Sequence, residues 1–188
     1  MSVEAVNRAV SRVRSTANLF RSLEPQGRSG LDVRAAGIAQ KLSMMAEKMA
    51  RALRLAYCLT SGKCVKQGDA WVCKGPTFRL FLCITPGEVS VSRHTDVKVL
   101  AYREGGEEWS AYANFGGTYV FMVSGRKARL CIEGSQCVEV EPDASMIKQH
   151  YSDIRYYAGR LDSMLGKLLE GLQALARASS PQCLSGEK

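Results

Sequence analysis

Seven cysteines, two histidines and a few clustered carboxylates are the side chains here that could do covalent, metal or acid–base chemistry. The cysteines stand at 58, 64, 73, 83, 131, 137 and 183, and no two form a CxxC. With so few histidines beside them, no zinc site is expected. Two cysteine pairs have hairpin spacing instead. In Cys64-VKQGDAWV-Cys73 a turn at Gln67–Ala70 sets the two opposite each other, and in Cys131-IEGSQ-Cys137 a short turn does the same. Cross-strand disulfides Cys64–Cys73 and Cys131–Cys137 are then geometrically open, with buried free thiols as the competing reading. His94 falls in a turn, SVSRHTD, and His150 on a helix, where surface or packing roles suffice. Glu107-Glu108 and Glu139 with Glu141 sit in exposed loop and strand contexts without a partner for acid–base work. No P-loop, GxSxG, HExxH or dinucleotide fingerprint occurs. The expectation is a protein that is not an enzyme and takes no cofactor or metal.

What remains is noncovalent chemistry. The net charge of +8 favours polyanionic partners, because clustered Lys and Arg gain free energy by releasing counterions from phosphates. Residues 1–54 hold ten basic and four acidic side chains, which is +6 of that total. In the middle of the chain, rings and cations interleave: Arg79 with Phe81, then Lys98, Tyr102, Trp109 and Tyr112. Ring faces stack on unpaired bases while flanking cations hold phosphates, which is what single-strand binding requires. A half-buried second layer of sheet is the competing reading of the same residues.

Three zones position these side chains. Residues 2–22 carry apolar side chains at Val3, Val6, Val10, Val13, Ala17 and Phe20, one stripe of an amphipathic helix. EPQGRSG at 24–30 breaks it. Ser29 with Asp32 then forms a capping-box pattern, and a second stripe runs through Leu31, Ala35, Ile38, Leu42, Met45, Met49, Ala52 and Ala56. Arg34, Lys41 and Lys48 recur every seven residues on its flank as an electrostatic rim. From Cys58 to Pro142 the period becomes two, with strands expected at 70–74, 77–84, 97–103, 109–115, 117–123, 127–132 and 136–141. The spacing leaves no room for crossover helices, so an antiparallel meander is expected. A two-residue loop at Gly105-Gly106 sets Tyr102 across from Trp109 and Lys98 from Ala113, with Tyr112 on the reverse face. A loop at Ser124-Gly125 sets Phe121 beside Ala128 and Tyr119 beside Leu130. Pairing through 131–137 puts Arg129 opposite Glu139 and Lys127 opposite Glu141, as cross-strand ion pairs.

The third zone starts at Pro142-Asp143. Ile147, Ile154, Leu161, Leu168 and Leu175 follow at seven-residue intervals, with Tyr151, Ala158, Leu165 and Leu172 in the complementary position. That is a leucine-zipper-like seam, expected to join copies into a dimer or tetramer; packing against the first two helices is the alternative. The fold class is α+β: two N-terminal amphipathic helices on an antiparallel meander (1–142), a C-terminal coiled-coil helix (143–178) and a disordered tail (179–188). No apolar run approaches the roughly 18 residues of a membrane span, and the N-terminus lacks a signal-peptide pattern, so a cytoplasmic protein is expected.

This order of zones resembles ThermoDBP and its relatives, an archaeal family of single-stranded DNA-binding proteins. The match spans nearly the whole chain, in architecture, basic charge and zipper position. In that family two helices and an antiparallel sheet form a cleft for single strands, and a C-terminal zipper joins the subunits. The resemblance implies a sequence-independent single-strand binder in DNA protection, replication or repair, with RNA left open. It also implies a thermophilic setting, where intracellular disulfides are at home. The pairing argument supplies the expected contacts: Arg79, Phe81, Lys98, Tyr102, Trp109 and Tyr112, rimmed by Arg34, Lys41 and Lys48. The alternative function is a coiled-coil adaptor, or a prefoldin-like chaperone, that binds protein partners through an apolar sheet face.

Overall fold

The computed structural model describes the backbone of residues 3–187 except 26, 28, 62–63, 68–69, 75–80, 85–88, 93–96, 105–107, 116–118 and 135. Side chains are described for 3–61 and 119–185, with 5, 26, 28 and 135 excepted. Helices α1 (Val3–Arg21) and α2 (Gly30–Leu59) form where the two apolar stripes lie. The Ser29 hydroxyl oxygen accepts from the Asp32 amide and donates to its carboxylate, which starts α2 as the capping-box pattern predicts. The Asp32 carboxylate also accepts from Lys148 Nζ at 2.7 Å. Those two bonds, the lysine's first, hold its pKa below the ordinary carboxylate value.

The strands are β1 (Cys64–Gln67), β2 (Ala70–Lys74), β3 (Phe81–Ile84), β4 (Val89–Ser92), β5 (Val97–Glu104), β6 (Glu108–Phe115), β7 (Val120–Ser124), β8 (Lys127–Ile132) and β9 (Gln136–Val140). They pair antiparallel in chain order, but as two sheets, β1-β2-β3-β4 and β5-β6-β7-β8-β9, rather than one meander. Cys64 does pair with Cys73 in register, and Cys131 with Cys137; the latter two are joined by a disulfide.

Two hairpins close differently from expectation, with unequal consequences. Ser124 pairs with Lys127, so the β7–β8 loop is Gly125-Arg126, with Gly125 at φ 56°. Phe121 therefore pairs with Leu130 instead of Ala128. That slip moves the pairing by two, so each residue keeps its face. In the β5–β6 hairpin Glu104 pairs with Glu108, Tyr102 with Ser110 and Arg103 with Trp109. That slip is by one, and a slip of one moves a strand's side-chain set to the other face.

Asp143 caps α3 (Ala144–Gln149) by accepting from the Ser145 and Met146 amides. The third helical zone then breaks at His150 before α4 (Tyr151–Ser179). The expected zipper seam is spent within the chain. Ile147, Ile154, Leu161, Leu165, Leu172 and Leu175 are buried, and Tyr151 and Leu168 are half-buried, all without a second copy. The physical reason is the helix period. The buried positions of α4 are 154, 158, 161, 165, 169, 172, 175 and 176, a face that widens beyond the heptad seam to take in Leu169 and Ala176. A straight α-helix of 3.6 residues per turn drifts by about 20° per heptad, whereas a supercoil holds the strict 3.5-residue seam. α4 lies along α2 and rests on β8 and β9. One hydrophobic cluster joins α1, α2, β7–β9, α3 and α4, on both sides of the boundary drawn at 142.

The tail is also corrected. Residues expected to be disordered form a 3-10 helix, Pro181–Glu187, in which Cys183 is buried and disulfide-bonded to Cys58 at the end of α2. Pairing by hairpin spacing could not find this bond, because its partners lie 125 residues apart.

Two outcomes follow. Leu161→Ala should destabilise the protein by about 2–5 kcal/mol, with a Tm that does not change with protein concentration; a Tm rising with concentration would restore the intermolecular seam. Cys183→Ser should lower the denaturant midpoint more than Cys137→Ser, since the two bonds close separations of 125 and 6 residues. The chain-entropy account allows up to about 5 kcal/mol for the longer loop.

Candidate nucleic-acid interface

A surface for a single strand needs rings and cations on one face. In a sheet this is a matter of parity: paired positions share a face, and successive residues alternate. β5–β6 pairing joins Lys98 with Asn114, Leu100 with Tyr112 and Tyr102 with Ser110. Tyr112 pairs onward with Met122, and Met122 with Arg129. The opposite parity holds Phe121, Val123, Ala128, Leu130 and Val140, all buried. α1 packs over β6 and β7 and α4 over β8 and β9, so Lys98, Tyr102, Tyr112 and Arg129 occupy positions of the parity turned away from that core. The one-residue slip thus brings Tyr112 to the same face as Tyr102 and moves Trp109 to the other. The expected Tyr102–Trp109 pair is replaced by a Tyr102–Tyr112 face.

The remaining expected contacts divide. Phe81 belongs to the other sheet, paired with Ser92 and Lys74. Arg79 lies outside the described residues. Arg34 and Lys41 are exposed on α2, as a rim requires. Lys48 is not a free cation: its Nζ donates to Asp162 at 2.6 Å, tying α2 to α4. Seven-residue spacing alone could not reveal this, because the carboxylate arrives from another helix. On the outward face, Lys127 pairs with Glu141 at 3.0 Å and lies 3.9 Å from Glu139. The Glu141 hydrogen bond, followed by the two carboxylate charges, raises the Lys127 pKa and commits that cation to the sheet. Arg129 sits opposite Glu139 in register, as expected.

Two clusters escaped the sequence reading. On the α1–α2 seam, Arg14 Nε donates to Glu47 at 3.2 Å, and Arg21 reaches the same carboxylate at 3.8 Å. Arg54 lies beside them; its pKa is lowered by burial first and by the Arg14 charge second. Three guanidiniums around one carboxylate leave excess positive charge there. The available signal was the seven-residue spacing of Arg14 with Arg21 and of Glu47 with Arg54. On α4, Arg160 donates to the Tyr119 hydroxyl at 3.4 Å and stands 5.9 Å from the centroid of that ring. Tyr156, 55% exposed, lies edge-on to Tyr157.

The chain matches no protein-family model, no curated protein and no solved structure. Among the described residues no group of three His, Cys, Asp or Glu could hold a metal ion, and no helix is long and apolar enough to cross a membrane. His150 is exposed at the α3–α4 joint, and His94 lies outside the described residues.

The Lys48 assignment is open to a direct check. Lys48→Gln should cost stability, by about 0.5–1 kcal/mol for a pair at the surface, because it leaves Asp162 without its cation, while Lys41→Gln, on the exposed flank, should leave the Tm near wild type.

Proposed function

We propose that this chain binds single-stranded nucleic acid without regard to base sequence, through the outward face of the five-stranded sheet. The observation that carries the reading is the register that gives Lys98, Tyr102, Tyr112 and Arg129 the same parity, opposite the helix-covered core. Two tyrosines two pairs apart across neighbouring strands suit stacking on successive bases, and Lys98 suits a phosphate beside them, while Arg129 stands opposite Glu139. The net charge of +8 supplies the long-range attraction. Arg34 and Lys41 add to that field as exposed groups on α2. DNA and RNA both offer the bases and phosphates this face would use, so protection of single strands in replication or repair is one setting among several. The alternative, an adaptor or prefoldin-like chaperone that takes protein partners through an apolar sheet face, has no specific observation in its favour.

The test is a fluorescence-anisotropy titration of oligo-dT at several salt concentrations. Affinity should fall as salt rises, with a log–log slope of about 0.7 per phosphate neutralised, and Lys98→Gln should reduce that slope. Tyr102→Ser and Tyr112→Ser should each cost about 1–3 kcal/mol of binding, while Trp109→Leu should leave affinity near wild type. Loss of affinity only in the Trp109 variant would overturn the face assignment. Absence of binding to any single strand at low salt would overturn the function.

A further inference from the structure

The outer side of α4 carries a feature the sheet face does not use. Tyr151, Ser152, Arg155, Tyr156, Gly159 and Arg160 surround a shallow open depression. Helical spacing explains its shape. Ser152 and Gly159 lie seven residues apart on one line, with Tyr151 and Arg155 to one side and Tyr156 and Arg160 to the other. The floor is therefore small and the walls are a ring and a guanidinium on each side. A side chain at Gly159 would point into open space, since nothing lies within 4 Å of where its Cβ would stand. Glycine inside a helix is disfavoured relative to alanine, yet no packing partner requires it at this position.

The two walls are not equivalent. Arg160 is held by the Tyr119 hydroxyl and ring, with Tyr156 beside it and Glu133 of the β8–β9 turn acting more weakly. Asp153, seven residues before Arg160, lies on the same side of the helix. Arg155 makes no ion pair or hydrogen bond among the described residues and is exposed. It is the guanidinium here with its donors open, so anionic charge belongs on the Arg155 side. Tyr156 offers an exposed ring across the floor.

We propose that this depression is a nucleotide subsite: Tyr156 stacks on the base of one nucleotide of a single strand, Arg155 holds its phosphate, and Gly159 leaves the floor open for it. Two arginines make a second copy of the same face a poor occupant, because its like charges would meet; a phosphodiester complements them. The subsite is separate from the sheet face, and either could exist without the other.

The experiment uses the whole chain and photo-crosslinking to a ten-nucleotide oligo-dT carrying 5-iodouracil, followed by tryptic mapping, with anisotropy in parallel. Crosslinks should fall on the peptide 156–160 (YYAGR) or on 149–155, which holds Tyr151. Gly159→Met fills the floor while favouring the helix, so it should lower affinity by roughly fivefold or more, as for a lost stack, with a Tm at or above wild type. Arg155→Gln should weaken binding and shrink the salt dependence. A parallel titration with thymidine monophosphate separates the sources of the ligand: saturable binding that Gly159→Met abolishes means a free nucleotide suffices, and its absence means that the strand is needed. Crosslinks confined to 99–126, with Gly159→Met binding as wild type, would overturn the subsite and leave the sheet face standing. Crosslinks on 149–160 with none on 99–126, and an affinity unchanged by Tyr112→Ser, would leave the subsite standing and remove the sheet face. Wild-type affinity in both the Gly159 and Arg155 variants would overturn the proposal whatever the crosslinks show.

Discussion

Everything else in this fold depends on α2 being buried on two sides. Ala39, Ala50 and Ala56 are fully buried, as are Met45, Met49 and Leu55, and these residues point in several directions around the helix. A helix apolar around most of its circumference cannot lie at the surface; it must be enclosed. α1 lies along it with Val10, Val13, Ala17 and Phe20, and α4 lies along it with Ile154, Ala158, Leu161 and Leu165. The small residues at these contacts let the helix axes approach closely, and the larger ones fill the gaps between them. Each buried Leu or Ile in such a seam contributes about 1.5–3 kcal/mol. α4 has one wide apolar face, and α2 takes it.

The polar links follow from that packing. Lys48–Asp162 ties α2 to α4, Lys148–Asp32 ties α3 to the first turn of α2, and Arg14–Glu47 ties α1 to α2. Each lies beside an apolar seam, where both charges stay partly wet and neither is left unpaired. These pairs commit several cations that a count of charges would credit to a ligand. What is left for a polyanion is the set on the far side of each element: Arg34 and Lys41 on α2, Arg155 on α4 and the outward parity of the sheet. Thr16, buried at the contact between α1 and the β7–β8 turn, donates to the Gly125 carbonyl, so that hairpin is pinned to the helical layer.

The sequence made the helices, the Ser29 and Asp143 caps, the antiparallel pairing and the Cys131–Cys137 bond legible, because each rests on local spacing. What it hid rests on a single residue more or less, or on a partner far away. Ser124 and Gly125 mark a turn correctly, and a loop displaced by one residue there shifts the pairing by two and spares the faces. Gly105 and Gly106 also mark a turn, but pairing Glu104 with Glu108 changes the parity and exchanges Trp109 for Tyr112. Periodicity fixes that a strand exists more firmly than which side it shows. The heptad was ambiguous for a related reason. Over three or four turns, periods of 3.5 and 3.6 are nearly the same, so the spacing alone does not say whether the apolar face meets another copy or α2. The Cys58–Cys183 bond and the Lys48–Asp162 pair are long-range facts that no local pattern carries.

Closing the seam within one chain changes where avidity for a long strand would have to come from. A zipper raises effective concentration by bringing identical grooves together. Here the α4 depression and the sheet face belong to one fold whose helices and β7–β9 share a single core. Two weak contacts on one fold would gain from effective concentration in the same way, provided one strand could reach both. The gain then depends on strand length and not on protein concentration. α4 is suited to that arrangement because its two sides are independent: Ile154, Ala158, Leu161 and Leu165 hold it to α2, while Tyr156, Gly159 and Arg155 stay outside the packing. Those three residues are exposed, so this helix has room for a surface that its apolar pattern, taken alone, would assign to assembly.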